Sequence, residues 1–255
     1  MAGRLFVGGD FPSAGGSARE GLAAFDLATG RLLPWAPQVE FGPFWTGVYA
    51  LAADGDTLYF GGAFSKVNGT PRPSIAAVDS SGALLPWNPK VTKRTGAFPY
   101  VNSLQVSGGV VYAGGNFVHQ QGGAGIEPSV NALALSADGK TLYLGGRFAT
   151  VDAHPRNAVA AANAGTGQLL SWNPTTGPVV VRALASGGAS VFVGGEGTVP
   201  GIFKVDALTG EALGLPQSSG RTRGLVFEGT SLFAVEMGDG SNPVRPPPYL
   251  RLDNP

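Results

Sequence analysis

Few side chains in this sequence can do chemistry, and most of those that could are locked into a repeating pattern. The two histidines, His119 and His154, fall in loops, the second close to Asp152. A Ser-His-Asp triad would call for a GxSxG elbow, and a metal centre on His119, His154 and Asp152 would call for spacing such as HEXXH. Neither pattern occurs, so no catalytic residue and no metal ligand is assigned. The absence of cysteine removes thiol nucleophiles and thiolate-held metals. Asp54-Gly55-Asp56 lacks the later ligands of a calcium loop and reads as a hairpin turn. The Gly-Gly pairs are not followed by Lys-Ser or Lys-Thr, so they are not phosphate cradles, and no cofactor is expected.

The residues that recur are arginine and tryptophan. Arg19, Arg72 and Arg156 each stand seven positions before Asp26, Asp79 or Asn163. One reading has each guanidinium fastening a loop to nearby carbonyls; the other has an arginine ring capturing an anionic ligand. Val199 occupies the site in a fifth copy, which breaks the ring. Trp35, Trp87 and Trp172 recur in a short Pro-rich motif, either as wedge-fillers between sheets or as stacking platforms for sugar rings. Trp45, in the loop sequence FGPFWTG outside the repeat, is the better candidate for a sugar or peptide contact.

These residues hang on a repeat that is visible once the double glycines are aligned. LFVGGDF, LYFGGAF, VYAGGNF and LYLGGRF place Gly8-Gly9, Gly61-Gly62, Gly114-Gly115 and Gly145-Gly146 at equivalent positions, with a weaker VFVGGEG around Gly194. The first glycines are separated by 53, 53, 31 and 49 residues, a period of blades or solenoid turns. Before four of them comes an apolar strand: VYALAADGDT, VNSLQVSGG, VNALALSADGKT, VRALASGGAS. After a polar loop follows a third strand ending in Asp or Asn: LAAFD, IAAVD, VAAAN, IFKVD. A turn at Gly30, Gly82, Gly167 or Gly210 then leads to LLPWAP, LLPWNP, LLSWNP or a degraded GLPQ, read as an edge strand because proline is tolerated there.

The expectation is therefore an all-β chain, a β-propeller of four-stranded antiparallel blades, with about five to six recognisable and some incomplete. Tight Asp-Gly turns demand antiparallel neighbours, which a β-helix does not supply. Blade-like units are expected at about 4–44, 45–98, 99–128, 129–178, 179–220 and 221–255 within a single domain. The third is too short for its outer strands, the first lacks an inner strand and the last an edge strand, so the chain reads as part of a larger propeller-bearing, multidomain protein. Hydrophobic residues at 43% offset the high Gly and Pro content that would otherwise suggest disorder. Charged residues make up only 13% and cancel to zero net charge, which argues against nucleic acid or an anionic membrane as partner. No apolar run is long enough for a membrane span, and Met1 to Gly9 reads as moving straight into a strand without the n-region and h-region of a signal peptide.

The succession LYxGGxF, Arg, LAAxD, TGxLLPWNP resembles the delta-60-type β-propeller repeat of large bacterial extracellular and surface proteins, over roughly Arg4 to Gln217. It also looks similar to the blades of pyrroloquinoline-quinone dehydrogenases, although no cofactor site matches. The resemblance implies a propeller fold and an extracellular or cell-surface setting, and no reaction. The expected function is a non-catalytic scaffold for interaction or adhesion, with a protein or carbohydrate ligand. A carbohydrate-binding propeller and a hydrolase- or quinoprotein-like enzyme are the alternatives.

Overall fold

The computed structural model describes residues 1–42, 47–91, 98–117, 127–175, 180–197, 201–214, 221–228, 231–237 and 249–253. Every regular element among them is a β-strand, and every pairing is antiparallel. The chain separates into two compact units, Met1–Gly123 and Ala124–Pro255.

In the first unit, β1 (Arg4–Gly8) is followed by β2 (Ser13–Ala14), β3 (Ser17–Ala18), β4 (Leu22–Asp26) and β5 (Val39–Phe41). Next come β6 (Val48–Asp54), β7 (Thr57–Gly62), β8 (Phe64–Val67), β9 (Thr70–Pro71) and β10 (Ile75–Asp79), and then β11 (Tyr100–Ser107) and β12 (Val110–Asn116). They form the successive sheets β1-β4, β6-β7-β10 and β11-β12, with two small side sheets, β2-β3 and β5-β8-β9. The pairing of β5 with β8 crosses the unit boundary expected at residue 44.

The second unit contains β13 (Glu127–Leu135), β14 (Thr141–Val151), β15 (His154–Pro155), β16 (Val159–Asn163), β17 (Val180–Gly187), β18 (Ser190–Glu196) and β19 (Gly201–Asp206). It ends with β20 (Arg221–Glu228), β21 (Ser231–Met237) and β22 (Tyr249–Asp253). Its sheets are β13-β14-β16, with β15 attached to β14, then β17-β18-β19 and β20-β21-β22.

In each unit the apolar clusters lie between successive sheets. Leu22, Ala24 and Trp35 of the first repeat meet Phe60, Ala76 and Val78 of the second. Tyr143, Ala161 and Trp172 likewise meet Val181, Val191 and Val205. The alanine pairs of the third strands are fully buried, so these sheets approach at methyl distance.

The double glycine serves that approach in two ways. A methyl on the first glycine would strike the next sheet: at Gly61 it would lie 2.4 Å from Val101, at Gly145 2.4 Å from Val181, at Gly8 2.9 Å from Val48. A methyl on the second would strike the paired strand's own backbone, 2.1 Å from the carbonyl of Gly47 at Gly62, of Tyr100 at Gly115 and of Ser129 at Gly146. Opposite that second glycine, each inner strand carries a bulge.

Two expectations are corrected. The Pro-Trp segment is not a fourth strand. It touches its sheet through one isolated bridge, Phe25 with Leu32, Val78 with Leu84, Ala162 with Leu169 and Val205 with Ala212. After one further bond, such as Leu33 N–H to Ala24 O, Pro34 and Pro86 have no N–H to continue the ladder. The "polar loop" before the third strand is itself a two-residue hairpin, turning at Gly15-Gly16, Asn68-Gly69 and Asp152-Ala153, all with positive φ. Asn68-Gly69 is as strong a short-range hairpin signal as Asp54-Gly55 and announces the hairpin in the second copy.

Candidate functional site

The recurring arginines bind backbone. Arg156 donates from Nη1 to Pro155 O at 2.8 Å and from Nη2 to Leu170 O at 2.8 Å. Arg19 does the same with Ala18 and Leu33, and Arg72 with Pro71 and Leu85. Each guanidinium thereby ties the small hairpin to the Pro-Trp segment of its own repeat. With two of its N–H groups committed to carbonyls, each arginine acts as a staple within its own repeat.

The tryptophans reach forward to the next sheet. Trp172, 4% exposed, donates from Nε1 to Asp206 O at 3.0 Å and packs on Tyr143 with ring centroids 5.0 Å apart. Tyr143 adds a hydrogen bond from its hydroxyl to Ala207 O at 2.9 Å. Trp35, 5% exposed, packs on Phe6 and reaches Asp79 O at 3.5 Å. Trp87 packs on Tyr59 in the same way, centroids 5.1 Å apart, but stays half-buried. Trp45 lies outside the described residues.

The acids that end the third strands cap their own turns. Asp26 Oδ1 accepts from Thr29 N and Oγ1, Asp79 Oδ1 from Ser81 N and Oγ, and Asp206 Oδ1 from Leu208 N and Thr209 N. These bonds hold the three carboxyls below the usual range: the Thr29 and Ser81 hydroxyls act most strongly on Asp26 and Asp79, the Thr209 backbone N–H on Asp206. Asn163 makes the equivalent turn to Gly165 and Thr166 without a charge. His154 is exposed at the tip of its hairpin with Nδ1 2.8 Å from Asp152 O, and His119 lies outside the described residues. Among the described residues no group of three His, Cys, Asp or Glu could hold a metal ion.

The sequence reading missed the residues inserted at the inner-strand bulges. They are Tyr49, Asn102, Asn131, Arg182 and Arg223, each the extra residue between two paired neighbours. The signal was the second letter of VYAL, VNSL, VNAL, VRAL and TRGL, a variable polar residue inside a fixed apolar frame. In the second unit Arg182 donates from Nε to Glu196 Oε1 at 2.9 Å, and Arg223 Nη2 lies 3.8 Å from Glu196 Oε2. The hydrogen bond from Arg182, with the charges of Arg182, Arg223 and Arg221, lowers the Glu196 pKa against its partial burial. Asn131 donates from Nδ2 to Val181 O at 3.0 Å in the neighbouring sheet. In the first unit, burial and then the charge of Asp10 push the Tyr49 hydroxyl pKa up.

No family model matches the chain, and no curated protein matches it. Among solved structures, a chain titled "Crystal Structure of Mitotic Checkpoint Complex" aligns with a TM-score of 0.61 at 19% identity over 84% of this chain. This chain spans 64% of that chain's length. The likeness is one of fold alone, a β-rich architecture resembling propeller-type structures. The computationally designed Ika8 protein aligns at 17% identity over 91% of this chain and 93% of its own, with a TM-score of 0.44 that is too low to bear on the fold.

Proposed function

We propose that this chain is a non-catalytic binding scaffold, a β-propeller built from five to six blade-like repeats, whose ligand contacts are made by the variable bulge residues. The observation that carries the reading is the division of labour between repeated and varied positions. Arg19, Arg72 and Arg156, the Gly-Gly pairs, Asp26, Asp79 and the buried Trp35 and Trp172 all act on the fold itself. The equivalent bulge position holds Tyr49, then Asn102 and Asn131, then Arg182 and Arg223, three side-chain types that differ in size, charge and hydrogen-bonding capacity, as a display surface requires. Trp35 and Trp172 are buried and offer no ring face to a sugar, so among the described tryptophans only Trp87 could serve a carbohydrate-binding reading. The delta-60 resemblance of the repeat favours an extracellular or cell-surface setting and a larger multidomain chain.

The test pairs display with frame. A triple variant Asn131→Ala, Arg182→Ala, Arg223→Ala is compared with wild type on glycan and peptide arrays and in thermal unfolding. Specific binding by the wild type that is lost in the variant, with Tm within a few degrees, supports the reading. Collapse of the fold, or turnover of a hydrolase or dehydrogenase substrate by the wild type, refutes it.

A further inference from the structure

The two ends of the sheets in the second unit differ in charge. Glu196 follows the second glycine of its repeat and closes β18, at the end where the bulge residue stands. It accepts from Arg182 Nε at 2.9 Å within its own sheet, and its other oxygen lies 3.8 Å from Arg223 Nη2 of the next. The charge of Arg221 reaches the same carboxyl. Arg147 fills the equivalent place on β14: it pairs with Ser129, two residues before the bulge at Asn131, as Glu196 pairs with Val180, two before Arg182. Asn131 donates to Val181 O at 3.0 Å, next to Arg182, so the row runs on from one sheet to the following one. The acids Asp138 and Asp206 stand at the opposite end of the same sheets, Asp138 in the turn between β13 and β14 and Asp206 opposite Ser190 at the start of β18. Asp152 lies beyond Arg147, at the tip of the β14-β15 hairpin.

Arg182 is answered by Glu196, whereas Arg147 and Arg221 are exposed and carry no ion pair among the described residues. Positive charge is thus concentrated at one end of these sheets in a chain whose net charge is zero. Resting on the reading of the bulge residues as ligand contacts, we infer that the row Arg147, Arg182, Arg221 and Arg223 binds an extended, acidic segment of another polypeptide. An exposed guanidinium holds a single anion weakly, so a small anion gains little here and a ligand that meets several guanidiniums at once gains from each. Arg182 and Arg223 show the geometry, with one carboxylate between two successive sheets. Along an extended chain alternate side chains point the same way about 7 Å apart, within reach of long arginine side chains, so Glu or Asp at alternate positions offers carboxylates to the sheets in turn. A sugar chain would call for an aromatic face, and Tyr143, Phe148, Trp172 and Phe192 of this unit are buried.

The probe is an alternating Glu-Ser peptide of about twelve residues, labelled with a fluorophore and titrated by anisotropy into the full chain at low and at physiological salt. Saturable binding that weakens with salt is expected, with none to the Gln-Ser counterpart. Arg147→Ala, Arg221→Ala and Arg223→Ala should each weaken it about two- to fivefold, one exposed ion pair apiece. Arg31→Ala, exposed in the first unit, should leave it unchanged. Glu196→Gln keeps an acceptor for Arg182 and removes the competing charge, so it should tighten binding by a similar factor. Unfolding midpoints equal to wild type exclude a folding defect. Tighter binding of a sulfated glycan or an oligonucleotide of equal charge overturns the inference, as does weaker binding by Glu196→Gln. No peptide binding, while array ligands are still lost from the triple variant of Asn131, Arg182 and Arg223, overturns it and leaves the scaffold reading standing. Peptide binding that none of the arginine variants alters overturns both.

Discussion

The Gly-Gly pair makes a prediction that separates its two members. A Cβ at Gly145 would lie 2.4 Å from Val181 Cγ1 and 3.1 Å from Leu184 Cδ1. Carbon atoms in good contact sit about 3.5–4.0 Å apart, so the two sheets must part by about 1 Å or Val181 must leave its rotamer. Gly145→Ala is therefore expected to cost about 1–3 kcal/mol, the range for overpacking a dense interior. Val181 is fully buried, and Val181→Ala alone should cost about 2 kcal/mol through lost burial and a small cavity. In the double variant the new methyl fills the space that the valine vacated, so the combined cost should fall short of the sum by about 1–2 kcal/mol. Gly146 is different, because its neighbour at 2.1 Å is the carbonyl oxygen of Ser129, a backbone atom at the bulge that no side-chain change can remove. Gly146→Ala should thus be the costlier variant, and Val181→Ala should not rescue it. Urea unfolding followed by circular dichroism gives the midpoints of the wild type, the three single variants and the two double variants. A neutral Gly145→Ala, or costs that simply add in the double variant, would refute the account of sheet spacing.

Three further outcomes follow from the same frame. Trp172→Phe should lose about 1–2 kcal/mol with the bond to Asp206 O, whereas Trp87→Phe, which breaks no hydrogen bond among the described residues, should cost clearly less in the same unfolding assay. Arg156→Lys should destabilise by about 1 kcal/mol in thermal unfolding, because one ammonium cannot span Pro155 O and Leu170 O as the guanidinium fork does. Asp206→Asn should keep the turn, as Asn163 does, but change its pH response. The folded carboxyl pKa is depressed, so its contribution is complete above the unfolded value of about 3.9 and is lost as pH falls through the folded value. Acid titration should show a shallower loss of stability below about pH 4 in the variant, and an unchanged slope would contradict the assignment.

The sequence alone determined the inner, Gly-Gly and Asp-ending strands and their order, but not β5, β15 or the small hairpins β2-β3 and β8-β9. Period-two apolar runs between turn formers can only be antiparallel β-structure, and LAAFD, IAAVD and VAAAN fall on β4, β10 and β16 with their bounds intact. What the sequence could not decide was which partner each recurring residue meets. Local sequence fixes a strand's alternation, but the partner of Trp172 is a carbonyl 34 residues away in another sheet. The bulge residues were hidden for the same reason. Their pattern is written in VYAL, VNAL and VRAL, but a register shift exists only once a second strand is laid alongside, so only the paired sheets set Arg182 beside Glu196 and Asn131 beside Val181.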